Sequence, residues 1–176
     1  MSKIIAFSGS NSSTSINEQL IQYVSSIKEG VEVIDLKDFE PPMYSSDLEG
    51  EVGTHQKIKD LVTKLSEVDG VILSTPEHNS MPPAFFKNIL DWLSRTGATY
   101  LDGKKYLQYK KAIVMSSGPG GGGAKGAQAL VQKMIGYAGA EVVGNFSLPS
   151  FYENFKDGKI VNEDLNKELL DVLSKI

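Results

Sequence analysis

The chain has 176 residues, a length that suits one domain with an ordinary hydrophobic core. Its net charge of −4 argues against nucleic-acid binding, and the absence of cysteine excludes thiol nucleophiles, disulfides and zinc–thiolate or iron–sulfur sites. With two histidines, a multi-histidine metal site is not expected either. No secretory signal pattern and no apolar run of membrane-spanning length is visible, so we expect a cytoplasmic protein.

Five apolar segments rich in Ile and Val predict buried β-strands. They are KIIAFS 3–8, VEVIDL 31–36, GVILST 70–75, KAIVMSS 111–117 and AEVVGNFSL 140–148. Between the strands, apolar residues recur at helical spacing and predict helices. Gly30, Gly97 and Gly139 follow three of these predicted helices, at the position where glycine commonly ends a helix. The alternation predicts a single α/β domain over residues 1–176, a doubly wound five-stranded parallel sheet with helices on both faces.

Three of the connecting loops have unusual compositions. They are SGSNSSTSIN at 8–17, TPEHNSMPPAFFKN at 75–88 and SSGPGGGGAKG at 116–126. They follow the first, third and fourth strands, which the flavodoxin-like order 2-1-3-4-5 places side by side. Because ligands of such folds bind outside the carboxyl ends of the strands, we expect the three loops to form one site in a sheet of this order.

The first loop has the composition of an anion-binding turn at a helix N-terminus, where free N–H groups and hydroxyls hold a phosphate. No lysine or arginine lies between Lys3 and Lys28, so these contacts would be neutral. The lysine of a Walker loop and the glycines of the dinucleotide fingerprint are both missing, which favours a mononucleotide. The alternative is a helix cap with surplus serines.

The second and third loops suit the flat part of such a ligand. Pro76 and the Pro82–Pro83 pair fix the backbone around Glu77, His78 and Asn79, which offers a rigid polar edge to a heterocycle. The glycines within 118–123 leave N–H groups free to face an acceptor. The alternatives are a stiff strand-to-helix turn for the second loop and a flexible linker for the third.

Together the three loops resemble the NADPH-dependent FMN reductase family, a flavodoxin-like group that includes chromate, quinone and azo-dye reductases. The resemblance spans nearly the whole chain and departs from the family pattern at Ser12, where the family has arginine, and at His78, where it has tyrosine. The residues that match the three family motifs are Gly9, Ser10, Ser15 and Asn17, then Pro76, Glu77, Asn79, Pro82, Lys87, Asn88, Leu90, Asp91 and Trp92, then Gly122, Gly123, Ala124 and Lys125.

This resemblance implies an enzyme that passes hydride from NAD(P)H to tightly but non-covalently bound FMN, and then to a small acceptor such as a quinone, free flavin, chromate, or a nitro- or azo-aromatic compound. It implies no metal and no essential catalytic acid or base, with His78 either contacting the acceptor or filling space beside the ring. The implied FMN contacts are Ser10, Ser12, Ser15, Ile16 and Asn17 at the phosphate, Pro76, Glu77, His78 and Asn79 beside the isoalloxazine, and Ser117, Gly118, Gly121 and Gly122 at its pyrimidine end.

The resemblance also implies a homodimer or homotetramer, because family members assemble through their helices. Trp92 lies off the apolar stripe of its predicted helix, so it is either exposed at a partner surface or buried within the monomer. Two other functions stay open: a flavodoxin-type electron carrier that does not oxidise NAD(P)H, and a flavin-free binding protein on the same fold.

Overall fold

A computed structural model describes residues 2–176. The strands are β1 Ile4–Ser8, β2 Val31–Val33, β3 Gly70–Thr75, β4 Lys111–Ser117, β5 Glu141–Leu148, β6 Phe155–Lys156 and β7 Lys159–Ile160. The helices are α1 Ile16–Ile27, α2 Ser46–Val52, α3 Gln56–Ser66, α4 Ala84–Leu93, α5 Gly97–Tyr100, α6 Lys125–Tyr137, α7 Phe151–Asn154 and α8 Glu163–Leu173, with a 3-10 turn over Leu36–Phe39.

The first five strands form one parallel sheet in the order β2-β1-β3-β4-β5, as predicted. Helices cover both faces, which is why the central strands are buried and largely apolar. Along β1, Ile4 and Ala6 pack with α1 and α8, whereas Ile5 and Phe7 pack with α3, α4 and α6. The strand order and the flavodoxin-like fold class are therefore confirmed.

The first and fifth strands begin one residue later than predicted, and two other boundaries differ by more. The second strand is predicted to reach residue 36 but pairs only over Val31–Val33, because the Asp35 carboxylate accepts a hydrogen bond from Lys37 N–H (2.9 Å) and starts the 3-10 turn. Gly97 does not end α4, which stops at Leu93; it begins α5. A glycine is needed there because a Cβ would lie 2.8 Å from the carbonyl oxygen of Lys104.

The long connection over 37–53 is folded onto α4 by two buried side chains. Trp92 is fully buried, and its Nε1 donates to the carbonyl oxygen of Pro42 at 2.9 Å. Asn88 donates to the same carbonyl and accepts from Tyr44 N–H at 2.8 Å. The hypothesis of an exposed Trp92 at a partner surface is therefore wrong, and its alternative, burial within the monomer, is confirmed.

An ion pair fixes the next part of this connection. The Tyr44 hydroxyl donates to Glu49 at 2.9 Å, and Arg95 Nε donates to both carboxylate oxygens of Glu49 at 3.1 Å. The Tyr44 hydrogen bond and the Arg95 guanidinium together hold the pKa of Glu49 below its usual range. The connection is thus attached to both the middle and the end of α4.

Replacing Asn88 by alanine tests this attachment. The Asn88→Ala variant leaves the Tyr44 N–H without its partner, so we expect the free energy of unfolding to fall by about 2–3 kcal/mol. Urea denaturation followed by the fluorescence of Trp92, the single tryptophan, measures it. The control is Lys87→Ala, which removes only a surface ion pair on the same helix and is expected to change the stability by about 0.5 kcal/mol or less. Equal losses in the two variants would contradict the assignment.

Candidate active site

The carboxyl ends of β1, β3 and β4 border an open cleft of about 380 Å³. All three of the unusual loops contribute to it, because the strand order makes their strands neighbours. The residues that line the cleft are Ile16, Asn17, Pro76, Glu77, His78, Ser117, Gly118, Pro119, Gly120, Gly122, Gly123 and Ala124.

The serine-rich loop after β1 is built from a series of hydrogen bonds between hydroxyls and the backbone. The hydroxyls of Ser8, Ser10 and Ser12 each accept from the N–H two residues further on, at 3.2–3.3 Å. This pattern engages the N–H groups of residues 10, 12 and 14, whereas those of Asn11 and Ser13 have no hydrogen bond within residues 2–176. The serine hydroxyls therefore stabilise the loop backbone through these hydrogen bonds. The N–H groups of Asn11 and Ser13 stay available to a ligand.

These free groups fit a phosphate. A serine hydroxyl that accepts one hydrogen bond still has its own hydrogen to donate, so Ser10 and Ser12 add donors to those of the backbone. The loop leads into the N-terminus of α1, where the helix dipole contributes about half a positive charge. No cationic side chain is present in it, and serine at position 12 replaces the charged contact of the family motif.

Ser15 and Asn17 have structural partners. Ser15 caps α1 by accepting from Glu18 N–H at 3.1 Å. Asn17 is 1% exposed; its Nδ2 donates to the carbonyl of Ser117 at 3.1 Å, and its Oδ1 accepts from Ser74 Oγ at 2.6 Å and Ser117 N–H at 3.0 Å. The side chain of Asn17 thus joins α1 to the ends of β3 and β4, a role that the sequence did not reveal.

The loop after β3 makes a tight hairpin turn. His78 and Met81 exchange two backbone hydrogen bonds of 2.9 and 3.1 Å, and Asn79 and Ser80 between them have positive φ angles of 51° and 64°. Such angles at both central positions define a type I′ turn, for which asparagine is well suited. Asn79 therefore occupies the tip of the turn, outside the cleft lining, while Glu77 and His78 line the cleft.

The glycine loop after β4 is fixed at its end and open in its middle. The hydroxyls of Ser116 and Ser147 both donate to the carbonyl of Gly123, at 2.7 and 2.8 Å. A Cβ at Gly123 would lie 2.2 Å from Ser147 Oγ, so only glycine fits there. By contrast, a Cβ at Gly120 or Gly122 would meet no atom within 4 Å, so the loop presents bare backbone to the cleft. This loop is not a flexible linker.

Most of the predicted site residues meet in one place. The cleft is lined by eight of them, namely Ile16, Asn17, Pro76, Glu77, His78, Ser117, Gly118 and Gly122. Five others do not line it, namely Ser10, Ser12, Ser15, Asn79 and Gly121. Of these, Ser10, Ser12 and Ser15 belong to the loop that runs into α1. Four further lining residues were not among the predicted ones, namely Pro119, Gly120, Gly123 and Ala124. Ala124 has a positive φ of 60°, which carries the backbone from the glycine loop into α6.

Within residues 2–176, Glu77 and His78 are the only ionisable side chains that line the cleft. Among the residues that the structure describes, no group of three or more His, Asp or Glu side chains is placed to hold a metal ion. Nor does any helix in the described part of the chain combine the length and apolarity needed to cross a membrane. The cleft thus offers mainly neutral hydrogen-bonding groups to its ligand.

The fold defines a flavodoxin-like α/β protein with an open cleft at the strand ends. Residues 2–153 match the family model described as NADPH-dependent FMN reductase. An uncharacterized protein of Mycoplasma pneumoniae is 32% identical over 82% of this chain and 86% of its own length. An NADPH:quinone oxidoreductase of Arabidopsis thaliana is 29% identical over 97% of this chain and 88% of its own.

Among solved structures, the chain is similar to FerB, a flavoenzyme NAD(P)H:(acceptor) oxidoreductase from Paracoccus denitrificans. The TM-score is 0.77 at 24% identity, over 99% of this chain and 97% of that one, which supports the fold. The chain belongs to the NADPH-dependent FMN reductase family. The predictions of an oxidoreductase, of FMN as cofactor and of NAD(P)H as co-substrate are thereby confirmed.

The contribution of Asn17 is measurable without the cofactor. Because Asn17→Ala leaves buried partners of three hydrogen bonds unsatisfied, we expect the apoprotein to lose about 2–4 kcal/mol of unfolding free energy in urea. Gln22→Ala is the control: it lies on the exposed side of the same helix and should change stability by no more than about 0.5 kcal/mol. If the two variants unfolded at the same urea concentration, Asn17 would not hold α1 to the sheet.

Proposed function

We propose that this protein transfers electrons from NAD(P)H, through FMN, to a small planar acceptor, and that quinones are the acceptor class it uses best. The observation that carries the proposal is the single cleft in which the three loops meet. Glu77 is the acidic side chain in the lining, and it disfavours an anion such as chromate next to the ring. The similarity to a plant quinone oxidoreductase over nearly the full chain supports the same choice.

Each loop has a separate binding task in this proposal. The free N–H groups and hydroxyls between Ser10 and Ser15 bind the FMN phosphate, together with the start of α1. Pro76, Glu77 and His78 border one edge of the isoalloxazine, and the backbone N–H groups between Gly118 and Gly122 face its pyrimidine end. When bound, FMN supplies the redox chemistry by accepting a hydride and passing electrons on.

His78 is proposed to contact the acceptor. Its side chain is exposed and lines the cleft, and its backbone is held by the paired hydrogen bonds to Met81. An imidazole in this position has an N–H group to donate to a carbonyl oxygen of the acceptor. A tyrosine, the family residue, has a hydroxyl donor at the end of a longer side chain.

Anaerobic titration tests the proposal. Protein loaded with FMN is expected to lose its yellow colour on addition of NADPH or NADH and to regain it when benzoquinone is added. A flavodoxin-type carrier would stay yellow with either nucleotide. A flavin-free binding protein would not retain FMN in gel filtration, and either result would overturn the proposal.

A matched pair of glycine variants tests whether FMN binds in the cleft. A Cβ added at Gly122 or at Gly50 would meet no atom within 4 Å, so a phenylalanine can be introduced at either position without a backbone clash. Gly122→Phe fills the cleft and is expected to weaken FMN binding at least about tenfold, which corresponds to about 1.4 kcal/mol. Gly50→Phe lies in α2, away from the cleft, and should bind FMN as the wild type does.

We further propose a homodimer or homotetramer. Because Trp92 is buried, it cannot form the partner surface expected from the sequence. An apolar cleft of about 410 Å³ between α4 and α6 supports a different partner surface. Leu90, Leu93 and Met134 line it, and Tyr137 at its edge is 78% exposed. Light scattering should give at least twice the monomer mass of 19.1 kDa; a monomer would refute the proposal.

A further inference from the structure

Glu77 connects two of the loops that form the cleft. Its Oε2 accepts a hydrogen bond of 2.7 Å from the backbone N–H of Ala127, in the first turn of α6. The contact is close enough that a Cβ at Gly126 would lie 2.7 Å from the same oxygen. The carboxylate therefore sits directly on the N-terminus of a helix that belongs to a different loop.

The cap and first turn of α6 contribute no negative charge of their own. Ala124 precedes the helix and provides no side-chain cap, and no acidic residue lies in the first turn. Lys125 is its first residue, so a cation is added to the positive end of the helix dipole. α1 differs, because Ser15 caps it with a neutral hydroxyl and Glu18 places a carboxylate in its own first turn. Glu77 supplies to α6 the counter-charge that its own sequence lacks.

Two helix N-termini reach the same cleft, and each has a carboxylate in or beside its first turn. The first residues of α1 and the residues just before α6, Gly123 and Ala124, all line it. At α1 the carboxylate is that of Glu18, in the helix's own first turn, whereas at α6 it is that of Glu77, from the loop after β3. Of these two carboxylates, that of Glu77 belongs to a residue that lines the cleft, so it disfavours added negative charge on a ligand near α6.

We propose that Glu77, through its charge, lowers the reduction potential of FMN bound beside α6. The inference rests on the proposed function, since it concerns FMN in this cleft. The carboxylate holds the start of α6 in place and also opposes the negative charge that the ring gains on reduction. The effect of the Glu77 charge can be separated from that of its hydrogen bond to Ala127 N–H. The Glu77→Gln variant keeps a side-chain oxygen that accepts this hydrogen bond but loses the negative charge.

The test compares the dissociation constants of the apoprotein for oxidised and for chemically reduced FMN, measured anaerobically. In Glu77→Gln, reduced FMN is expected to bind about three- to tenfold more tightly relative to oxidised FMN than in the wild type. A tenfold change corresponds to a rise of about 30 mV in the potential of a two-electron couple. Glu77→Asp retains the charge and should restore most of the wild-type ratio. Glu141→Gln makes the same charge change at the amino end of β5, whereas the cleft lies at the carboxyl ends of the strands, and it should leave the ratio unchanged.

An unchanged ratio in Glu77→Gln, or equal changes in the Gln and Asp variants, would overturn the inference while leaving the proposed function intact. Failure of the wild type to bind FMN in either state would instead overturn the proposed function. If Glu77→Gln does not fold, Lys125→Gln changes the charge at the same helix end in the opposite sense. It must then shift the ratio in the opposite direction, and no shift would reject the inference.

Discussion

A single buried amide determines where the parts of the cleft lie. Asn17 donates to the carbonyl of Ser117 and accepts from its N–H, so it binds the end of β4 as a neighbouring strand would. The third hydrogen bond, from the Ser74 hydroxyl, attaches the same side chain to β3. Because unpaired groups in a buried position are costly, α1 cannot move along the sheet without breaking all three bonds. The N-terminus of α1 is therefore fixed relative to both neighbouring loops.

The remaining loops are held to one another in the same way, by single polar side chains that cross between segments. Glu77 binds the first turn of α6, and Ser116 and Ser147 bind the carbonyl of Gly123 from two adjacent strands. The cleft is consequently held in place where these side chains bind, at Gly123 and the first turn of α6. It is open at Gly120 and Gly122, which carry no side chain. A cleft of fixed shape with few side-chain contacts suits a flat ligand.

The sequence was sufficient to predict the sheet and the meeting of three loops in one cleft. Continuous apolar runs identified the five strands, and the unusual loops after the first, third and fourth indicated where a ligand binds. The roles of Asn17, Asn88 and Trp92 could not be predicted, because each depends on a partner far along the chain. Local helical periodicity placed Trp92 off the apolar stripe and gave no sign that the 37–53 connection folds over it. The hairpin of β6 and β7 was missed because two-residue strands have too little pattern to detect.

The neutral composition of the loop before α1 has a consequence for how a phosphate is held. Dissolved ions weaken attractions between net charges over distances of about 10 Å at about 0.1 M salt, but they barely affect short contacts from N–H and hydroxyl dipoles. A phosphate bound between Ser10 and Ser15 would therefore be retained almost equally in dilute and in concentrated electrolyte. Because the loop carries no charged side chain, it does not accelerate the association of an anion from solution. Tight binding of a phosphate by this loop therefore requires a slow dissociation rate.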